Sequence, residues 1–316
     1  MTTEATSLVR RPADSPPGAV SRHHYRAMRF VTPYLLLLPA AFLYILFIVY
    51  PIFKQFDISF YNWHVFPGAA NPFVGWGNYK EIFHSPEIRT AALNTFLFIV
   101  ITVPIQMALG LFAAALVTDR LPGRGLWRAL IFIPVVTSWV VVSYVFAYIF
   151  ADQGGLANGI LSIFVGHTVH VDWLANTWTG NAVIWILSIW KGIGWSFIMF
   201  LAALDGVPRD LVESSRVDGA SERRVWRHVV IPNIRPTITF VTVLLFIGAS
   251  QVFIQVYVTT GGGPFDSTGV LLTNAYQQAF SFFSFGYAAA IASLMAVVVL
   301  AMSIVYIRLM RRGSNS

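Results

Sequence analysis

Six apolar stretches dominate the chain, at about 32–53, 91–117, 129–151, 181–203, 236–258 and 286–308. A bilayer core of about 30 Å takes ~20 apolar residues in helix. The spacing therefore predicts an all-α polytopic membrane protein with six transmembrane helices. Pro51, Pro104 and Pro134 interrupt some stretches, and such kinks are tolerated where neighbouring helices satisfy the freed carbonyl. Composition agrees: 56% of residues are apolar and 11% charged, whereas soluble domains lie near 45–50% and about 25%.

Basic residues set the orientation. With residues 1–31 taken as inside, 17 of the 21 Lys and Arg fall on inside segments. They lie in the tail, at Arg120, Arg124 and Arg128, in the stretch 205–235, and at Arg308, Arg311 and Arg312. Lys54, Lys80 and Arg89 lie outside, and Lys191 lies within a span. Both termini are thus expected in the cytoplasm. Residues 1–31 read as a disordered cytoplasmic tail, residues 32–308 as the six-helix domain, and residues 309–316 as a second tail. The polar start is too long, and the apolar run after it too span-like, for a cleavable signal peptide. The net charge of +7 is explained by orientation, so no nucleic acid is expected as a partner; membrane lipid is. On the outside segments, Trp63, Trp76, Trp173 and Trp178 suit either an interfacial belt or a docking surface for an extracellular protein.

Several chemistries lack their residues. There is no cysteine, hence no disulfide, thiol nucleophile or cysteine metal site. No GxxxxGK[ST], HExxH or nucleophile elbow occurs. His167 and His170 stand three apart in an outside loop without an evident further ligand, so no metal site is expected. The chain is not read as an enzyme.

The stretch 205–235 carries six arginines and five acids between two apolar spans. Pro208 suits a first helical turn and Asp205 lies near enough to cap it, giving one short helix over 208–217. Asp218-Gly219 is a turn signal. Ser221 can cap a second helix, about 222–230, which Pro232 and Pro236 would stop before the fifth span. Val212, Val217, Val225, Trp226 and Val229 make this knuckle too apolar for a free loop and suggest insertion into a partner's groove.

The pattern Glu213-Ser214-Ser215-x3-Gly219-x9-Val229-x-Ile231-Pro232 resembles the EAA loop of ABC-importer permeases, with two serines replacing two alanines. Thr260-Gly261-Gly262-Gly263-Pro264 followed by Ser267-Thr268 resembles a segment of carbohydrate permeases of the maltose-permease F-subunit type. Gly286-Tyr287-Ala288-Ala289-Ala290 resembles the start of their last span. Gly75-Trp76-Gly77-Asn78-Tyr79 is similar to their first outer loop, with Trp76 the departure, and Asn94-Thr95 fits their second span. Together these motifs cover about residues 32–308. The resemblance implies the ABC type I importer permease fold with a cytoplasmic coupling helix. It implies ATPase-coupling roles for Glu213, Ser214, Ser215, Asp218, Gly219, Ala220 and Pro232. It also implies a second permease subunit in a heterodimer, two copies of an ABC ATPase that bind the ATP and Mg, and an extracytoplasmic substrate-binding protein. The location implied is the bacterial inner membrane. No cofactor is expected on this chain itself.

Lys191 is the one ionisable residue inside a predicted span, and such residues default to function. The bland alternative is that it snorkels or faces water. Ser188, Lys191, Gly192 and Trp195 share a helical face, and Ser250, Gln251 and Gln255 lie on the fifth span. These seven residues are the expected substrate pathway, although any single polar residue in a span is as readily a hydrogen-bonding partner for its neighbour. An aromatic ring beside polar donors suits a sugar. The resemblance points to ATP-driven import of a sugar or oligosaccharide. Glycerol 3-phosphate or a glycerophosphodiester is the alternative cargo, with Lys191 as phosphate partner. An ion-coupled secondary transporter would require intramembrane acids and internal repeats, and neither is present.

Overall fold

The computed structural model describes residues 33, 35–66, 68, 70–118 and 123–312, with side chains to Arg308. The whole of the expected N-terminal tail, Arg120 and residues 313–316 lie outside the described residues. Two compact units are Met1–Lys54 and Gln55–Ser316. The first contributes most of helix α1 (Leu35–Ile58). Its side chains Leu36, Phe42, Phe47 and Phe53 are all exposed, an arrangement suited to lipid rather than water.

The second unit is built from α2 (Gly77–His84), α3 (Pro86–Thr118), α4 (Arg124–Val136), α5 (Trp139–Ile149), α6 (Leu156–Val165) and α7 (Thr177–Asp205). It continues with α8 (Arg209–Val217), α9 (Glu222–Ser250), α10 (Ile254–Thr259), α11 (Leu271–Phe280) and α12 (Phe285–Arg312). Among the described residues, α1, α3, α7, α9 and α12 are each long and apolar enough to cross a bilayer. The third expected span, 129–151, is not one helix: α4 and α5 meet at a 94° bend. Pro134 is not the break. The helix ends two residues later at Val136, and Thr137 and Ser138 both take extended backbone.

The fifth expected span is also shifted. A single helix, α9, runs from Glu222 to Ser250, so Pro232 and Pro236 do not stop it. A π-turn over Trp226–Val230 precedes Pro232, and the Asn233 side-chain amide donates to the Val229 carbonyl at 2.7 Å. A widened turn and a side-chain donor are the means by which helices absorb proline. The helix then breaks at Gln251–Phe253 and resumes as α10. At the other end of the chain, α12 continues to Arg312, into the segment expected as a tail.

In the second unit α3 lies along α7, α4 packs on α7, α9 packs on α3, and α5 packs on α10. Lipid supplies no hydrophobic drive between helices, so close backbone approach and polar contacts carry the association. A Cβ on Gly194 of α7 would sit 2.5 Å from the Ile131 carbonyl of α4. Phe98, Ile184, Phe197, Phe200, Ile234 and Val241 fill the space between α3, α7 and α9. Thr102 and Ser250 turn their hydroxyls onto carbonyls four residues back in their own helices, at 2.7 Å each, which satisfies these two buried donors within the helix.

The sequence motifs at the other end of the bundle meet in space. Asn94 of α3 donates to the carbonyls of Ser267 and Gly269, each at 2.8 Å. The Thr95 hydroxyl accepts from the Leu271 amide at 3.1 Å. Asn78 donates to the carbonyls of Ser59 and Tyr61, and the amides of Phe285 and Gly286 donate to the Trp63 carbonyl. Trp173 donates to Asn158 at 2.9 Å, so this tryptophan holds the loop after α6 in place.

Candidate functional site

Two features stand along α7, one at its C-terminal end and one beside its middle. The first is the knuckle. Helix α8 carries Glu213, Ser214 and Ser215 and closes at Asp218. The Ala220 amide donates to the Ser215 carbonyl and the Gly219 amide to the Arg216 carbonyl, both at 3.0 Å. This pairing is a Schellman close, which needs a left-handed residue at its hinge, and Gly219 supplies it with φ 79°. Arg216 then reaches across the turn to Glu222 at the start of α9, with contacts of 2.8 and 3.2 Å. Glu213, Ser214, Asp218, Gly219 and Pro232 are exposed, while Ser215 and Ala220 are half-buried.

Three local expectations are corrected. Asp205 does not cap α8; its carboxylate accepts from Arg124 and Arg128 of α4. Ser221 stands at the start of α9 without a side-chain cap bond. The apolar side chains of the knuckle mostly serve its own chain: Val225 is buried, and Val212, Trp226 and Val229 pack against the core. Val217 alone of that group is widely exposed, at 87%. Glu213 instead lines a cleft of ≈ 320 Å³ between α8, α9 and the ends of α3, α4 and α7, together with Asp205, Arg209 and Trp226.

The second feature is a cavity of ≈ 560 Å³ located where both helices break. Val135 and Trp139 come from the first break, and Gln251, Phe253 and Gln255 from the second. Irregular backbone at membrane depth is tolerated where it lines a cavity or is buried in protein. Six of the seven expected pathway residues converge here: Ser188, Lys191, Gly192, Trp195, Gln251 and Gln255. Ser250 is buried and bonded to its own helix and is not among the lining residues. Gln106 of α3 belongs to the wall and escaped the sequence reading. Its amide donates to the Ser188 carbonyl at 3.2 Å, and a Cβ on Gly192 would collide with it. An amide side chain deep inside the apolar stretch 91–117 was the available signal.

Lys191 is 3% exposed. Its ammonium donates to the carbonyls of Pro134 at 2.8 Å, Val135 at 3.2 Å and Thr137 at 2.6 Å. It also lies 4.8 Å from the centroid of the Trp139 ring. A lysine at the centre of a span costs about 3 kcal/mol on insertion scales, and these contacts offset that cost.

Residues 106–314 match the family described as binding-protein-dependent transport system inner membrane component. The chain belongs to that family. Within it, the chain is 32% identical over 291 residues to the lactose transport system permease protein LacF of Rhizobium radiobacter, covering 90% of this chain and 96% of that one. It is 31% identical over 281 residues to the trehalose/maltose transport system permease protein MalF of Thermococcus litoralis, covering 88% and 93%. Its fold matches a chain in the crystal structure of a bacterial ABC transporter involved in import of the acidic polysaccharide alginate, with TM-score 0.81 and 21% identity over 92% of this chain and 99% of that one. The inner membrane component therefore has the ABC importer permease fold, all-helical among the described residues, with five helices long and apolar enough to span, or six if the bent pair α4–α5 counts as one.

Proposed function

We propose that this permease moves a sugar or oligosaccharide into the cytoplasm by alternating access, driven by ATP hydrolysis in a partner. The observation that carries the proposal is the cavity at the two helix breaks. Trp139 and Trp195 face it beside Gln106, Gln251 and Gln255. A pyranose offers apolar C–H faces to rings and a polar rim to amides, so this wall suits an uncharged glycan. The lactose and trehalose/maltose names of two relatives support the same class. A glycerol phosphate cargo would want a free cation, and Lys191, the one charged residue among the described residues that line the cavity, is already bonded to three carbonyls.

The basic residues favour a cytoplasmic knuckle and cytoplasmic termini. In that orientation Glu213, Ser214, Ser215, Asp218, Gly219, Ala220 and Pro232 form the face that an ABC ATPase grips, with Glu213 directed at a basic residue of that subunit. Two ATPases need two such faces, which calls for a second permease in a heterodimer. ATP and Mg stay on the ATPases, and a substrate-binding protein delivers cargo from outside. ATP-driven closure pulls both knuckles and turns the cavity outward; hydrolysis resets it. The location that fits is the bacterial inner membrane.

Glu213→Lys tests the coupling. Substrate-stimulated ATP hydrolysis by the assembled complex should vanish while membrane insertion is unchanged. Full uptake by that variant without the ATPase subunit would overturn the proposal.

A further inference from the structure

We infer that Lys191 is a positioning residue: it fixes the right-angle break between α4 and α5 and so seats the Trp139 ring in the cavity wall. Use of that ring by cargo rests on the proposed function; the break and the seat do not.

The last carbonyls of any helix lack intrahelical partners and carry the negative end of its dipole. At the end of α4 those of Pro134 and Val135, with Thr137 just beyond, converge on one ammonium at 2.6 to 3.2 Å. An ammonium has three protons, and these three carbonyls, with the Thr137 hydroxyl oxygen at 3.3 Å, surround it with acceptors. The Thr137 hydroxyl donates to the Pro134 carbonyl at 2.6 Å, closing the turn from the other side. If α5 continued α4 in line, the Pro134 and Val135 carbonyls would turn to amides of residues 138 and 139, and the buried ammonium would lose its acceptors. A buried lysine without acceptors is costly, so the charge favours the bend.

The reach of Lys191 is set by the same helix. Gly194, three residues on and on the same face, lets α7 approach the α4 backbone so closely that a Cβ there would meet the Ile131 carbonyl at 2.5 Å. Beyond the break the Trp139 ring lies 4.8 Å from the ammonium, within cation–π range. One side chain thus touches the end of α4, the break itself and the first residue of α5.

The chain has no cysteine, so a label pair placed on it competes with no thiol of its own, and the complex is assembled with cysteine-free partner subunits. Leu126→Cys on α4 and Tyr148→Cys on α5 are exposed positions for spin labels. At a 94° bend their backbones lie roughly 22 Å apart, against roughly 33 Å for a straight helix at 1.5 Å per residue. Lys191→Met should move the measured distance toward the longer value or spread it broadly. Separately, a 5-fluorotryptophan resonance identified as Trp139 by its loss in Trp139→Phe should shift in Lys191→Met. An unchanged distance distribution or an unmoved Trp139 resonance would overturn the inference. Should Lys191→Met fail to assemble, Lys191→Gln replaces it, with fewer donors and no charge, and a distribution as narrow as that of the parent would be equally fatal.

Discussion

Arg124 donates to both carboxylate oxygens of Asp205, at 2.7 and 3.0 Å, across 81 residues of sequence. Arg128 adds a third contact at 3.2 Å. Helix α4 is therefore fastened to α7 twice, by Asp205 at the foot of the knuckle and by Lys191 at the cavity. Partly exposed ion pairs of this kind add about 0–1 kcal/mol each, so the Asp205 contacts matter for placement more than for stability. Asp205→Asn should lower the Tm of the purified complex slightly, by the equivalent of about 1 kcal/mol or less. It should reduce substrate-stimulated ATP hydrolysis far more than that small loss explains.

Gly194 separates packing from chemistry. Gly194→Ala places a methyl 2.5 Å from the Ile131 carbonyl and 2.7 Å from Val135 Cγ2. Overpacking of a tight contact typically costs about 1–3 kcal/mol. The variant should show a lowered midpoint in a detergent thermal-stability assay, and a midpoint equal to that of the parent would mean α4 and α7 are not held this closely.

At Gly219 the backbone alone decides. Nothing lies within 4 Å of a Cβ built there, yet φ is +79°, a conformation that costs a side-chain-bearing residue about 1–2 kcal/mol. Gly219→Val should loosen the knuckle and impair ATPase stimulation, whereas Gly219→Asn should retain most of it because asparagine enters this region readily. Equal loss in both would point to direct contact by the glycine instead.

Asn94 donates to two loop carbonyls. Asn94→Ala leaves both acceptors unpaired, at a cost of about 1–3 kcal/mol. Asn94→Asp should be worse, because it sets a carboxylate against two carbonyl oxygens. Limited proteolysis between Thr260 and Val270 should accelerate in that order.

Much of this arrangement was legible in the sequence. Apolar length alone located α3, α7 and α12, because lipid rewards a simple composition. Asp218-Gly219 located the hinge of the knuckle, because a left-handed turn restricts the residues that fit it. The breaks were not legible. Thr137-Ser138 and Gln251–Phe253 contain neither glycine nor proline, and the irregularity at Thr137 comes from a lysine 54 residues away. Pro232 and Pro236 misled for the converse reason, since a π-turn and Asn233 absorb what proline removes. Lys191 was found by its cost in a membrane, but its acceptors are backbone atoms, which residue types do not reveal.

The continuity of α9 carries one more consequence. An α-helix advances about 100° per residue, with 3.6 residues to the turn. Because α9 joins the knuckle to Gln251 without a loop, the compass bearing of the knuckle and that of the cavity wall are locked in phase. Adding one residue near the middle of the helix would leave every contact at each end available, yet it would swing one end by about a quarter turn against the other. Between these two sites residue count, rather than residue identity, is the quantity that substitutions can spare and insertions cannot.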